Sequence, residues 1–208
     1  MKVNLPIRAL GLILGLFLCN LTIQAQENKN HPIEISIGIT PLAEQNVGPR
    51  ERLDGSSSKD SYSYFAIDAK IKYKISRLFS INTGFEYAKF KIDLRGAIVD
   101  PSKPVFRDSI DLSLLEVPVL LSMDLGKYFY AHAGPNFHFQ LQGNDQYVDK
   151  QNGIGLYAGI GGQYYFTSNF GLFVEPFVKA NSIILFSEGN YPDRITVLGI
   201  KTGLKWRF

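Results

Sequence analysis

The stretch Phe65-Ala66-Ile67-Asp68-Ala69-Lys70-Ile71-Lys72-Tyr73-Lys74-Ile75 carries an apolar residue at every second place and mostly polar ones between. After Ser76-Arg77-Leu78 the pattern resumes, with Phe79, Ile81, Thr83, Phe85 and Tyr87 set against Ser80, Asn82, Gly84, Glu86 and Ala88. A period of two sends successive side chains to opposite faces of an extended strand. The two runs therefore read as antiparallel neighbours joined by a tight turn. Outward from this pair the same alternation appears in Ile33–Thr40, Leu115–Asp124, Phe129–Gln140, Ile154–Tyr164, Phe170–Lys179 and Leu198–Phe208. That makes eight strands.

Alternation alone suits a soluble sandwich or a lipocalin-like barrel as well as a membrane barrel, and the connections separate them. Ser76–Leu78, Asp124–Lys127 and Thr167–Asn169 are short, whereas Pro41–Ser61, Gly96–Asp108, Gly143–Gln151 and Ser187–Arg194 are long and polar. Short and long alternate strictly, as in an outer-membrane barrel with tight periplasmic turns and longer outer loops. A sandwich has no reason to sort loop length by parity. The expected fold is all-β: an eight-stranded antiparallel up-and-down transmembrane β-barrel in the outer membrane, with both termini periplasmic.

Composition fits. The 208 residues are ample for one core, and 15 Phe with 11 Tyr exclude a disordered chain. A lone cysteine, Cys19, excludes a disulfide framework and a cysteine-based metal site. Residues 1–25 have a positive start (Lys2, Arg8), an apolar run from Ala9 to Leu18 and a small-residue exit at Ile23-Gln24-Ala25. This is the layout of a secretory signal peptide, which leaves residues 26–208 as the barrel domain. The rival, lipidation of Cys19, is disfavoured by Leu18, where a lipobox has a small residue. Removing Lys2 and Arg8 leaves 20 basic against 19 acidic residues, too even a balance for a nucleic-acid partner. The expected partners are outer-membrane lipids, the barrel-insertion machinery during assembly, and a protein reached through the outer loops.

Tyr73, Phe79, Phe129, Phe166, Phe170, Trp206 and Phe208 share the apolar face close to a short turn or the C-terminus, as an interfacial girdle requires. Pro118, Pro135 and Pro176 fall inside strands of a barrel that has no edge, so they are expected at bulges or broken ladders. The apolar parity slips at Lys89/Phe90 and at Leu114/Leu115. These slips are read as the upper limit of the lipid band, beyond which the strands project with a different facing.

The chain closes on Lys201-Thr202-Gly203-Leu204-Lys205-Trp206-Arg207-Phe208. Lys201, Gly203, Trp206 and Phe208 resemble the C-terminal β-signal by which outer-membrane barrels are recognised for insertion. Leu115-Glu116-Val117-Pro118-Val119-Leu120-Leu121 is similar to the LEVPLLL signature of the PorT-like outer-membrane β-barrel family, and Tyr130-Ala131-His132-Ala133-Gly134-Pro135 to the strand that follows it. The resemblance implies a small eight-stranded barrel. The member that names the family acts in protein secretion, but these loops carry no secretion-specific motif.

No cofactor is expected. His132 and His138 share a face, but six residues at about 3.3 Å each put them too far apart for one metal. A Ser122, His132, Glu116 triad can be drawn, yet any polar-lined barrel permits such a drawing. Histidine as hydrogen-bonding filler is the simpler reading. Gly153-Ile154-Gly155 and Gly159–Gly162 lie within a strand with no helix to cradle phosphate, so close packing accounts for them better. More informative is the inward polar set: Lys70, Lys72, Glu86, Glu116, Glu175, Lys179, Lys201 and Lys205. A lipocalin interior would be apolar, and eight strands enclose a lumen that side chains fill. These charges should pair in an internal network, with Glu175 and Lys201 at equal height on neighbouring strands as one expected pair.

The function expected from sequence is that of a small, non-enzymatic, structural or interaction barrel. The alternatives are a component of secretion or surface assembly and a lipid-modifying outer-membrane enzyme. If Trp206 and Phe208 belong to an insertion tag, deleting Phe208 leaves exported but unassembled, protease-sensitive chain. A normal level of heat-modifiable band in outer-membrane fractions would refute the tag.

Overall fold

The computed structural model describes residues 33–49, 58–95, 107–143, 151–186 and 193–208. The leader and the long-loop tips lie outside these residues. The described chain forms eight strands: β1 (Ile33–Pro49), β2 (Ser58–Lys74), β3 (Phe79–Arg95), β4 (Arg107–Leu125), β5 (Phe129–Gln142), β6 (Gly153–Tyr165), β7 (Phe170–Leu185) and β8 (Asp193–Arg207). Each pairs antiparallel with its chain neighbour, and β1 pairs with β8, so the sheet closes into an up-and-down barrel. Closure leaves no unpaired edge, which a wall in hydrocarbon demands.

The three tight turns and both described chain ends share one end of the barrel. Two of these turns use one device. Ser76 Oγ accepts from Leu78 N and Phe79 N, and Thr167 Oγ1 accepts from Asn169 N and Phe170 N, the hydroxyl turn that lets the chain reverse in four residues. The third relies on Gly126, whose φ of 81° is left-handed. Asp124 and Leu125 stay in β4, so this turn is Gly126–Tyr128 and starts two residues later than expected.

At the other end the strands run further than the sequence reading allowed. β1 continues to Pro49 and β2 starts at Ser58, inside what reads as one loop, Pro41–Ser61. The strands have 13 to 19 residues, whereas roughly 9–11 cross a bilayer. The surplus projects beyond the lipid band.

The two faces are inverted relative to a soluble protein. Ile37, Phe65, Ile71, Phe85, Leu121, Ile160, Val174 and Leu198 are exposed on the outer wall. Beneath them the lumen buries Lys70, Glu86, Glu116, Glu175, Lys179 and Lys201. On β3 the outward series runs Phe79, Ile81, Thr83, Phe85, Tyr87 and then Lys89 and Lys91, while Glu86, Ala88 and Phe90 all point inward. Facing therefore does not change at the slip, contrary to expectation. Polarity changes instead: past Tyr87 the outside becomes charged and the inside apolar. Lys89 pairs with Asp111 across β3 and β4 on the outer surface, both half-exposed. Inside at this level Tyr64, Ala66, Ala88, Phe90, Leu112, Leu114, Ile195 and Val197 form an apolar plug. The extension is packed like a water-soluble barrel set on top of a membrane one.

The strand prolines turn out to be gaps, not bulges. Pairing between β3 and β4 breaks at Pro118, between β4 and β5 at Pro135, and between β6 and β7 at Pro176, and the register is the same on both sides of each break. Each proline stays in register with its other neighbour, so the missing N–H costs one local rung. True register shifts occur elsewhere, at Ile39/Leu42, Ser61/Ser63, Ser113/Leu114 and Ile154/Leu156. The last is accommodated in β7 around Ser182, whose φ is 58°.

The polarity switch makes a positional prediction. Val119→Arg, midway along the lipid-facing part of β4, should cost about 2–4 kcal/mol. Lys89→Ala, beyond the band, should change stability by no more than about 0.5 kcal/mol. Urea unfolding from lipid vesicles measures both, and equal costs would misplace the boundary.

Candidate functional site: the charged lumen

The inward parity of β1 to β8 brings the polar side chains into three connected groups. Deepest, under the plug, Lys179 Nζ donates to Glu86 at 2.9 Å and to both Glu116 oxygens at 2.8 Å. Lys201 Nζ reaches Glu86 at 2.6 Å and Asp68 at 3.1 Å. Asn136 and Asn181 donate their amides to Glu116, and Tyr64 donates its hydroxyl to Glu86 at 3.0 Å, tying this group to the plug. His138 is fixed in the same layer: its Nε2 accepts from Ser182 N at 2.9 Å, so its Nδ1–H faces Asn136 O at 3.2 Å.

Glu175 forms the second group. Tyr130 and Tyr157 each donate to it at 2.6 Å, and His132 Nε2 lies 3.1 Å from Oε1. Gly159 makes this possible, because a Cβ there would stand 2.9 Å from His132 Nε2. Gly161 lies under the Tyr130 ring in the same way. These two inward glycines of β6 are thus clearance for large neighbours, whereas Gly153 and Gly155 lie against the β7 backbone.

The third group sits at the short-turn mouth. Glu34 is held by Lys205 at 3.3 Å, by Arg207 at 3.0 Å and by the Tyr165 hydroxyl. Lys72 meets Asp124 at 2.5 Å. Arg207 lies 3.4 Å over the Tyr165 ring and Lys205 3.9 Å over Tyr130, close enough for cation–π attraction.

All eight inward charges named from sequence line this lumen, but one expected pairing fails. Glu175 and Lys201 are direct register partners, yet Lys201 crosses the lumen to Glu86 and Asp68, and Glu175 takes two phenols and an imidazole. Register fixes which Cα atoms are neighbours, whereas a lysine stem of four carbons reaches the far wall of a narrow barrel. Glu34 and Asp68 were missed, although both sit on the polar parity that selects Lys70 and Lys72. With them the described buried charges come to five lysines and five carboxylates, while Lys74, Asp124 and Arg207 stand half-buried at the mouth. The fully buried charges balance.

A Ser-His-acid triad is not assembled. The acid beside His132 is Glu175, Glu116 is bound to Lys179 and Asn136, and Ser122 Oγ has no hydrogen-bond partner among the described residues. Among the described residues no three His, Cys, Asp or Glu side chains gather as a metal site. The four residues of the C-terminal motif are split by function of position. Lys201 is in the lumen, and Gly203 lies against the β1 backbone at Ile37 and Gly38. Trp206 and Phe208 stack outside at 5.8 Å between centroids. These two end a run of outer rings, Tyr164, Phe166, Phe170, Trp206 and Phe208, each within 6.2 Å of the next and all exposed except the half-buried Phe170.

An eight-stranded barrel with an apolar wall and a polar, filled interior is the architecture of small outer-membrane proteins. The chain belongs to the outer membrane protein beta-barrel domain family, whose model matches residues 24–175, and it is an outer-membrane barrel. No curated protein sequence matches it. Among solved structures it is similar to the outer membrane protein OprG of Pseudomonas aeruginosa, at 13% identity and a TM-score of 0.50 over 87% of this chain and 97% of that one. It is also similar to the outer membrane protease OmpT of Escherichia coli, at 10% identity and a TM-score of 0.47 over 88% of this chain and 99% of that one. The attachment invasion locus protein Ail of Yersinia pestis matches at 15% identity and a TM-score of 0.41 over 83% of this chain and 98% of that one. At such identities the likeness is one of fold.

Stripping one carboxylate from the deep group should be severe, because two buried ammonium groups each lose one of their two carboxylate partners. Glu86→Gln is expected to cost about 3–5 kcal/mol. In a double-mutant cycle Lys201→Met should couple to Glu86→Gln by more than about 1 kcal/mol, and more strongly than to Glu175→Gln. The reverse order would restore the cross-strand pair.

Proposed function

We propose that this protein is a non-enzymatic structural or interaction barrel: a closed, non-conducting wall that holds its long loops outside the cell and both termini in the periplasm. One observation carries the reading, namely a lumen with equal numbers of buried positive and negative groups, filled by its own side chains and capped by the Tyr64–Phe90–Leu112–Leu114 plug. Aqueous channels need about 16–18 strands, and eight leave an interior that side chains occupy. The buried lysines are matched in number by buried carboxylates, which leaves no net charge among them to select an anion. Length asymmetry supports the orientation, since bacterial barrels keep short turns in the periplasm. The exposed Trp206–Phe208 stack on the last strand supports a role for Lys201, Gly203, Trp206 and Phe208 in insertion.

A second reading, a component of secretion or surface assembly, is favoured by the PorT-like signature. In the barrel that signature is architectural: Leu115, Val117, Val119 and Leu121 face outward, and Glu116, Pro118 and Leu120 face the lumen. It supports the wall and supplies no surface for a partner, which would have to bind the loops. A lipid-modifying enzyme would require a compact His, Ser and acid cluster at one interface, and His132 and Ser122 lie within the lumen.

Planar bilayers test the closed wall. Verified folded protein should stay silent. Steady, stepwise, anion-selective conductance that vanishes when Lys70, Lys72 and Lys201 are neutralised would overturn the reading.

A further inference from the structure

The lumen is not uniform along its axis. Toward the long loops the apolar plug contributed by β2, β3, β4 and β8 fills it. Toward the short turns it holds a polar cavity of about 10 Å³ lined by Ser36, Lys70, Asn82, Ser122, Glu175 and Lys205, among others. Three buried groups around this cavity are under-bonded. Lys70 is 3% exposed, and the only described carboxylate within 4 Å of its ammonium is Asp68, at 3.7 Å, beyond hydrogen-bond reach. Ser122 Oγ and Asn82 Oδ1 have no partner among the described residues. An ammonium offers three donors, and leaving a buried polar group unpaired is costly.

We propose that the short-turn half of the lumen is a blind, hydrated vestibule. Water enters from the short-turn mouth, and one bound molecule bridges the Lys70 ammonium to Asn82 and Ser122. The plug stops it from going further. Size and charge select the occupant. The cavity has room for about one water, which needs two to four polar partners. The unpaired set contains both a donor and acceptors, which one water satisfies together and a halide does not. The buried charge is already balanced at five against five, so an anion would leave it unbalanced in a medium where that is expensive. The mouth is polar throughout, from Lys72 and Asp124 to Glu34 and Arg207, whereas Thr40 and Ala66, paired across β1 and β2, mark where the apolar segment starts.

The vestibule uses the same lumen as the closed-wall reading but stands apart from it: a silent bilayer is compatible with either outcome below. Cysteine accessibility on β1 tests it, in the full chain carrying Cys19→Ser so that no other thiol is present. Ser36 lines the cavity, and Thr40, four residues further along the same inward face, is fully buried. With methyl methanethiosulfonate, Ser36→Cys should be modified at least ten times faster than Thr40→Cys, each variant first shown folded by its heat-modifiable band. Ala66→Cys replaces Thr40→Cys if that variant fails to assemble. Equal rates overturn the proposal, both fast meaning that solvent passes the plug and both slow meaning that the short-turn mouth is not open to solvent as far as Ser36. Crystals grown in bromide identify the occupant. A solvent peak within hydrogen-bond distance of Lys70 Nζ and without anomalous signal supports water. An anomalous peak there, or no peak, refutes it.

Discussion

Eight strands enclose too little space to hydrate the charges that their inward parity delivers, and the rest of the lumen follows from this constraint. A charge that cannot keep its water must find an opposite charge or several donors. Lys179 and Lys201 accordingly share Glu86, Glu34 takes Lys205 and Arg207, and Glu175, with no ammonium within salt-bridge reach among the described residues, gathers two phenols and an imidazole. Gly159 and Gly161 of β6 serve the same end, since they leave space for the His132 and Tyr130 rings and the Glu175 carboxylate.

Much of this was legible in the sequence because lipid enforces a strict code. A strand with one face in hydrocarbon and one in a polar lumen must alternate, and Phe65–Tyr87 does so without a break across its turn. Strand number, turn ends and the inward identity of Lys70, Glu86 or Lys201 follow from parity alone. Partner choice does not. Lys201 sits beside Glu175 in register but bonds across the barrel, because side-chain reach exceeds the lumen radius and nothing in the linear chain encodes the far wall. Nor does alternation reveal that Phe90 and Leu114 keep the facing of Glu86 and Glu116. Once the surroundings change from lipid to water, the apolar side of the strand changes with them, and the alternation slips at Phe90 where the β3 ladders do not.

The prolines show how a closed sheet absorbs a missing donor. Pro118, Pro135 and Pro176 each interrupt one ladder and remain in register with the other neighbour, so no strand is displaced at them. The bulges fall where register changes are harmless or useful. The β7 irregularity around Ser182 turns a backbone N–H into the lumen to meet His138.

Seven of the eight strand pairings join sequence neighbours, and only β1 with β8 unites the chain ends. The deep network nonetheless draws Lys201 from β8, and the mouth draws Lys205 and Arg207 from the same strand. Before the seam shuts, Asp68, Glu86 and Glu34 stand on an open sheet without these cations. The last strand therefore brings neutrality as well as hydrogen bonds, so partial closure is penalised twice. Assembly gains a proofreading step: a sheet that curls without seating its final strand retains bare carboxylates facing inward, and only complete circularisation removes them.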